Sequence, residues 1–397
     1  MLDPQTAQRL IGEHLTCLPI ESLPVSQCTG AVLRENLYAE RDQPPFDRVT
    51  MDGVALAVAG ADARRRFRLQ ATQAAGDAPI ALASPEHCIE VMTGAVLPPG
   101  CDAVVPVEQL QIRDAVVEIQ VGLPPPGTNI HRRASDRPQG ALLLPVGTRL
   151  RAPEIAVVAS AGMARIRVSS QPAIAVISTG NELVEPGDPI LPHQIRRSNA
   201  YAVVAALRQR GFQRVADEHL PDDAARLRER LRLHLDTHEV LILSGGVSMG
   251  RYDLVPQVLH DIGVHCVFHG VAQRPGKPLW FGTANDGRAV FALPGNPVST
   301  LICLLRYVMP ALYAAMGAPA AAPERVALGG AVEWKPSLTG FMPAQLHIDE
   351  WARPWATPCP TNGSGDFTTL ALTDGFIELP PGPAQFAKGF VTRLHRW

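Results

Sequence analysis

The residues best placed to do chemistry in this 397-residue chain form a glycine turn, Leu243-Ser244-Gly245-Gly246-Val247-Ser248-Met249-Gly250, with Asp253 just beyond it. The apolar run at 240–243 predicts a short buried strand, and the spacing at 254–262 predicts a helix. The glycines therefore fall between the carboxyl end of a strand and the start of a helix. Glycine lets backbone N–H groups close on a bulky anion with no Cβ in the way. The helix N-terminus adds its partial positive charge on the same side. Asp253 opens that helix, where it can cap it or reach a metal ion bound to the anion. Taken alone, a Ser-Gly-Gly turn is equally a plain structural turn.

A second such turn strengthens the anion reading. Residues 289–293 form another apolar strand candidate that runs into Pro294-Gly295-Asn296-Pro297-Val298-Ser299. Asn296 is a good N-cap and Pro297 suits the first helical position, so a helix should run from there through Leu304 and beyond. Two anion-ready turns at strand ends of one sheet converge on the crevice where open α/β sheets bind ligands. Between them lies Arg274-Pro275-Gly276-Lys277-Pro278, two cations on a stiff turn, whose bland alternative is a solvated basic loop. Upstream, a strand at 173–178 enters Thr179-Gly180-Asn181-Glu182, residues 199–210 have helical spacing with Gly211 as the stop, and 215–220 is the next strand. Strand and helix alternate from 173 to 316, as in a three-layer α/β domain. Glu182, Asp222 and Asp253 each follow a strand, a placement that suits Mg²⁺, which takes one or two carboxylates plus phosphate oxygens. Helix capping is the plainer account of Asp222 and Asp253, and it is compatible with the metal role.

These residues carry a family resemblance. Ser178-Thr179-Gly180-x-Glu182, the 244–250 turn with Asp253, Pro275-Gly276-Lys277-Pro278 and the 293–299 turn resemble the molybdopterin molybdenumtransferases, the MoeA and gephyrin E-domain family. Pro44-Pro45-Phe46-Asp47 with Thr50-Met51-Asp52-Gly53 is similar to that family's early signature. So are Met92-Thr93-Gly94-Ala95 with Gly100-Cys101-Asp102-Ala103-Val104-Val105, and Gly127-Thr128-Asn129-Ile130-His131-Arg132-Arg133 leading to Asp136. The match is in order and covers nearly the whole chain.

The resemblance implies an α/β and β multidomain protein. A three-layer α/β molybdopterin-binding domain (171–318) is accompanied by an inserted small β domain (43–137) and a C-terminal small β-barrel domain (319–397). A discontinuous N-terminal linker and dimerisation domain comprises 1–42 and 138–170. The implied substrates are adenylylated molybdopterin and molybdate, with AMP released and molybdenum left on the dithiolene sulfurs. Ser244, Gly245, Gly246 and Ser248 are then the phosphate cradle. Glu182, Asp222 and Asp253 hold Mg²⁺, which polarises the pyrophosphate. Arg274, Lys277 and Ser299, with Ser364, match positions that bind the oxyanion, Pro294 and Pro297 count among the cofactor-binding residues, and Asp52, Thr93 and Asp136 match further functional positions. A homodimer with a shared active site is implied, as are contacts with the molybdopterin adenylyltransferase and with molybdoenzyme chaperones. The chain departs from the family pattern in three places. No cation occurs in Thr339-Gly340-Phe341-Met342-Pro343-Ala344, where an arginine is usual; Gly270 replaces a basic residue and Ser135 an acidic one. Losing a bidentate arginine from an oxyanion site costs about 1.5–3 kcal/mol of binding unless Arg132, Arg133 or Arg353 substitutes.

Bulk properties fit such an enzyme. A chain of 397 residues exceeds one hydrophobic core and should divide into two to four domains. The formal charge of −2 predicts no general affinity for nucleic acid or an anionic membrane. No apolar stretch is expected to approach about 20 residues, and the N-terminus lacks a basic-then-apolar signal pattern, so a cytoplasmic location is expected. The 7 cysteines lack a Cys-x-x-Cys pair and read as reduced, mostly buried thiols. His234 and His238, one helical turn apart, read as surface residues. Residues 5–15 should form an amphipathic helix, 54–121 a strand-rich unit, 142–168 a segment that resumes helix-like spacing after Pro153, and 318–323 a linker before further strands. Two other readings compete with metal insertion. One is a molybdopterin-binding carrier or scaffold that inserts no metal; the other is the preceding adenylyl transfer from ATP to molybdopterin.

Overall fold

The structure is a computed structural model that describes residues 1–59, 64–247, 254–334, 337–363 and 365–397. The chain forms two compact units. The larger comprises Met1–Glu35, Gly147–Arg151 and Arg165–Trp397; the smaller comprises Asn36–Val146 and Ala152–Ala164.

In the larger unit, strand and helix alternate: β1 (Ile174–Thr179), α1 (Asn199–Gln209), β2 (Val215–Leu220), α2 (Ala224–Thr237), β3 (Val240–Ser244), α3 (Val255–Asp261), β4 (Val264–His269), β5 (Trp280–Ala284), β6 (Ala289–Leu293) and α4, which starts at Pro297. The sheet order is β2-β1-β3-β6-β5-β4, with the first four strands parallel and the last two antiparallel. Apolar residues run without a break along the central strands because both faces of the sheet are covered. Ile174, Val176, Ile242 and Phe291 pack on one face with Val203 and Leu207 of α1 and Ile302 of α4. Ala175, Ile177, Leu241 and Val290 pack on the other with Leu227 and Leu231 of α2 and Val258 of α3. That is the expected three-layer domain.

Helix α4 continues through a π turn at Leu304–Val308 to Ala315. At 19 residues and a mean hydropathy of 1.5, Pro297–Ala315 has the length and composition of a membrane span, correcting the expectation that no apolar stretch comes near that length. It is 78% buried within the protein and is a core helix. Its midpoint carries Arg306, whose Nε donates to Glu378 (3.1 Å) and whose Nη1 donates to Gln8 (2.6 Å).

Five strands at 324–328, 339–348, 354–358, 375–379 and 391–396 close into a barrel, because the strand at 375–379 pairs with both 391–396 and 339–348. Closure removes the free edges that an open sheet would expose. Val326, Leu328, Ile377 and Leu379 fill it. Gln273–Arg274, from the loop after β4, adds in parallel to Thr339 and Gly340 at the end of one barrel strand. The helix Pro4–His14, capped by the Asp3 carboxylate, buries Ala7 and Ile11 in the α/β core. The strand Ile20–Pro24 pairs with Arg165–Ser169. The segment at 142–168 holds a strand (Leu142–Leu144), a helix (Ala152–Ser160) where the sequence resumes helix-like spacing around Pro153, and most of that second strand.

The smaller unit is built on a six-stranded sheet with strands in the order 103–106, 53–56, 87–91, 66–73, 116–119 and 110–113. Val54, Leu56, Phe67 and Val105 fill one side, and Ala55, Ile89, Val91 and Val104 the other.

Two smaller expectations need correction. His234 is buried, and its Nε2 hydrogen-bonds to Glu218, which also receives Arg230. The partner lies on an adjacent strand, which helical spacing does not reveal. The cysteines are all unpaired as expected, with Cys28, Cys88, Cys101 and Cys303 buried.

Candidate functional site

The connection from β1 leads to β2 on one side, whereas β3 lies on the other, so the carboxyl ends of β1 and β3 flank a topological switch point. A cleft opens there, lined by Thr179 and Glu182 after β1, Ser244 and Gly245 after β3, and Gly295 and Pro297 after β6. The two glycine turns do converge. A Cβ on Gly295 would lie 3.4 Å from the Gly245 Cα, and the Gly245 N–H donates to Leu293 O at 3.3 Å. Gly245 and Gly246 have φ of +101° and +65°. A Cβ on Gly245 would sit 2.6 Å from the Thr179 carbonyl oxygen, so backbone meets backbone and only glycine fits. Gly245→Ala is accordingly expected to destabilise the larger unit by about 1–3 kcal/mol from backbone strain alone. Urea unfolding that coincides with wild type would refute the requirement.

Sequence reasoning missed the residue that ties these turns together. Asn199, the first residue of α1, donates from Nδ2 to Ser244 Oγ (2.9 Å) and to Gly295 O (2.7 Å). Both amide hydrogens are engaged, and Asn199 Oδ1 and Thr179 Oγ1 are buried polar atoms without a protein partner. Orphaned polar atoms at a cleft mark a place where a ligand or water completes the hydrogen bonding. Beside them Arg197 is buried, with Nε donating to Ser178 Oγ (3.1 Å), Nη1 to Glu185 (2.6 Å) and Nη2 to Asp217 (2.6 Å). The run Arg196-Arg197-Ser198-Asn199 at a helix start was the available signal.

The carboxylates are placed as follows. Asp223, not Asp222, caps α2, accepting from Arg226 N at 2.7 Å. The capping account of Asp222 is therefore overturned. Asp222 instead forms a reciprocal pair with Asn181: its N–H donates to Asn181 Oδ1 (3.1 Å) and its carboxylate accepts from Asn181 N (3.3 Å). This holds it at the end of β2, next to the β1 exit. Glu182 is exposed and folds back over that exit, its carboxylate 2.6 Å from where a Gly180 Cβ would be. Among the described residues no three His, Cys, Asp or Glu side chains form a metal-binding group. Asp253, Ser248 and Ser364 lie outside the described residues. Glu182 and Asp222 are oxygen donors at adjoining strand ends with no ion-pair partner among the described residues, a donor set that fits a hard divalent cation.

On the β6 side, Asn296 occupies the N-cap position, but its side chain makes no capping bond. Thr300 Oγ1 donates back to Pro294 O (2.7 Å) and Asn296 O (3.0 Å), which ties the turn to the helix without capping its free N–H groups. Ser299 is buried and does not line the cleft. Arg274 and Lys277 are exposed and unpaired among the described residues. Gly270 has φ of +96°, a conformation that disfavours the basic side chain it replaces. Phe341 is buried in the barrel strand, and Arg274 pairs in register with Gly340 beside it. The three candidates for the missing arginine are already engaged: Arg132 with Asp47, Arg133 with Asp42, and Arg353 with Asp349.

In the smaller unit, Asp52 Oδ1 accepts from Thr93 N (2.6 Å) and Thr93 Oγ1 (2.7 Å). The backbone donor and then the hydroxyl hold this carboxyl below the usual carboxylate range. Asp136 accepts from His131 Nε2 (2.8 Å), whose Nδ1 meets Arg48 (3.0 Å).

A three-layer α/β domain with a cleft at its switch point, a closed β-barrel and a β unit define a class, and comparison with known proteins specifies it. The chain matches the MoeA N-terminal region (domain I and II) over residues 2–162, a probable molybdopterin binding domain over 175–314, and the MoeA C-terminal region (domain IV) over 325–391. It is 39% identical to the molybdopterin molybdenumtransferase of Synechocystis, covering 100% of both chains. It is 33% identical to molybdopterin molybdenumtransferase 2 of Mycobacterium tuberculosis, over 100% of this chain and 99% of that one. A molybdopterin biosynthesis MoeA protein of Pyrococcus superposes with a TM-score of 0.80 at 28% identity, covering 100% of this chain and 99% of that one. The chain belongs to the MoeA family of molybdopterin molybdenumtransferases.

Proposed function

We propose that this protein inserts molybdenum from molybdate into adenylylated molybdopterin with Mg²⁺-dependent release of AMP, a step of molybdenum cofactor biosynthesis. The observation that carries this reading is the convergence of the Gly245 and Gly295 turns on a cleft with orphaned Thr179 and Asn199 oxygens. Ser244, Gly245 and Gly246 form the phosphate cradle, joined by Ser248; the Gly245 N–H is spent on Leu293 O, so the glycines serve chiefly by leaving room for the anion. Glu182 and Asp222, with Asp253, hold Mg²⁺, which when bound neutralises and polarises the pyrophosphate. Arg274 and Lys277 collect the oxyanion, with Ser364 assigned to the same task; Ser299, buried outside the cleft, backs the turn that carries Pro294 and Pro297 rather than meeting the oxyanion. Asp52, ionised across the neutral range, Thr93 and Asp136 act from the β unit.

The four-part division into 1–42 with 138–170, 43–137, 171–318 and 319–397 belongs to the same proposal. So do a homodimer that shares its active sites, a cytoplasmic location, and contacts with the molybdopterin adenylyltransferase and molybdoenzyme chaperones. Full-length similarity to proteins named as molybdenumtransferases favours metal insertion over a carrier or an adenylyltransferase.

The test supplies adenylylated molybdopterin, Mg²⁺ and molybdate and measures AMP and pterin-bound molybdenum. Both should appear together; AMP without molybdenum on the product would refute metal insertion. In the same assay Lys277→Ala should raise the molybdate concentration for half-maximal rate by about tenfold or more, as loss of a charge-assisted contact requires. An unchanged molybdate dependence would return this turn to a solvated basic loop.

A further inference from the structure

Gln273 is fully buried, although it carries an amide, and its side chain bridges the buried helix and the cationic loop. Oε1 accepts the Tyr307 hydroxyl, and Nε2 lies 3.2 Å from both Pro275 O and Gly276 O, to which it donates. Burying an amide is unfavourable unless its hydrogen bonds are made. Here two of the Nε2 partners are carbonyls of the loop, with Cys303 Sγ at 3.5 Å as a third contact, so burial of the amide and the shape of the loop are one condition. Gly276 closes the fit from above: its φ is +91°, and a Cβ there would fall 2.5 Å from Gln273 Nε2 and 2.7 Å from Cys303 Sγ. Tyr307 and Cys303 come from the buried helix, Tyr307 within its π turn, a widening often associated with functional sites. The floor of the loop is therefore anchored in the core. Its outer side carries Arg274 and Lys277, both exposed and unpaired among the described residues. Two like charges on so short a turn repel, and a floor fixed from below is what keeps them at one spacing.

We infer that Gln273, backed by Tyr307, is a positioning residue that sets the spacing of Arg274 and Lys277 and thereby fixes oxyanion affinity without touching the oxyanion. The inference rests on the assignment of these cations to the oxyanion. Preorganised charge binds and stabilises an anion better than charge that must first be gathered.

The test uses the full-length protein and three readouts: the molybdate concentration for half-maximal AMP release, AMP affinity by calorimetry, and the thermal midpoint. Gln273→Leu should raise the molybdate requirement by about tenfold to a hundredfold, the range in which small displacements of positioning groups act. Tyr307→Phe should raise it less, and both should leave AMP affinity within about twofold of wild type, since the cradle is untouched. Leu312→Ala, a core change on the same helix, provides a control of comparable thermal loss and should leave the molybdate requirement alone. If Gln273→Leu does not fold, Tyr307→Phe against Leu312→Ala carries the same comparison. An unchanged molybdate requirement, or an equal shift in Leu312→Ala, overturns the inference. If Lys277→Ala shifts the requirement and Gln273→Leu does not, the inference alone falls. If neither shifts it, the oxyanion assignment of the loop falls first and takes the inference with it.

Discussion

Asp222→Asn is expected to leave the protein folded and to reduce AMP release on the order of a hundredfold or more, because about 3 kcal/mol of transition-state stabilisation by a metal ion corresponds to that factor. Folding survives because Asp223, not Asp222, caps the following helix. An asparagine side-chain oxygen can still accept from Asn181 N, and the backbone N–H of residue 222 still donates to Asn181 Oδ1. What disappears is the negative charge at the end of β2. Raising the Mg²⁺ concentration should restore part of the rate, which separates weakened metal binding from a displaced loop. Circular dichroism and AMP release measured side by side decide the matter. A folded variant with wild-type turnover and wild-type Mg²⁺ dependence would remove Asp222 from the metal site.

Glu378→Ala is expected to destabilise the larger unit by about 3–5 kcal/mol, the usual loss when one partner of a buried ion pair is removed. Glu378 accepts from Arg306 (3.1 Å) and lies 3.1 Å from His395 Nε2, with the Arg306 and Glu378 side chains only 2% and 11% exposed. Removing the carboxylate strands a guanidinium whose Nη2 already lacks a partner. Burial alone would push the Glu378 carboxyl up, but the His395 hydrogen bond and the Arg306 charge outweigh it and bring it below the ordinary value. A lowered carboxyl stabilises the fold above its unfolded-state value and loses that contribution as pH falls through its folded one. The gap in urea stability between wild type and Glu378→Ala should therefore shrink in acid. Replacing both partners, Arg306→Met with Glu378→Leu, should cost far less than the single change. Equal losses for single and double variants would contradict this account.

The sequence made some parts of this molecule plain and concealed others for identifiable reasons. The apolar runs at 240–243 and 289–293 could be read as strands because both sheet faces are buried, so nothing interrupts them. The convergence of their two turns followed from glycine and proline placement. Asn199 could not be found this way, since its role depends on two acceptors 45 and 96 residues away in the chain. The fates of Arg132, Arg133 and Arg353 were equally hidden: a cation looks available until its carboxylate partner is known. Asp222 and Asp223 were indistinguishable as caps because a one-residue choice of helix start decides between them.

The attachment of Gln273–Arg274 to the barrel strand has a bearing on modularity. By chain order this cationic turn belongs to the α/β domain, but its backbone is hydrogen-bonded into the sheet of the C-terminal barrel, with Thr339 N donating to Ala272 O at 3.1 Å. A fragment ending near residue 318 would retain the glycine cradle and the Gln273 floor while releasing one flank of the turn. Under the proposed assignment, such a fragment should keep its hold on the nucleotide and loosen its grip on the oxyanion. The barrel then acts as a buttress of the cationic turn, and transplanting the α/β domain alone should transfer recognition of one proposed substrate more faithfully than the other.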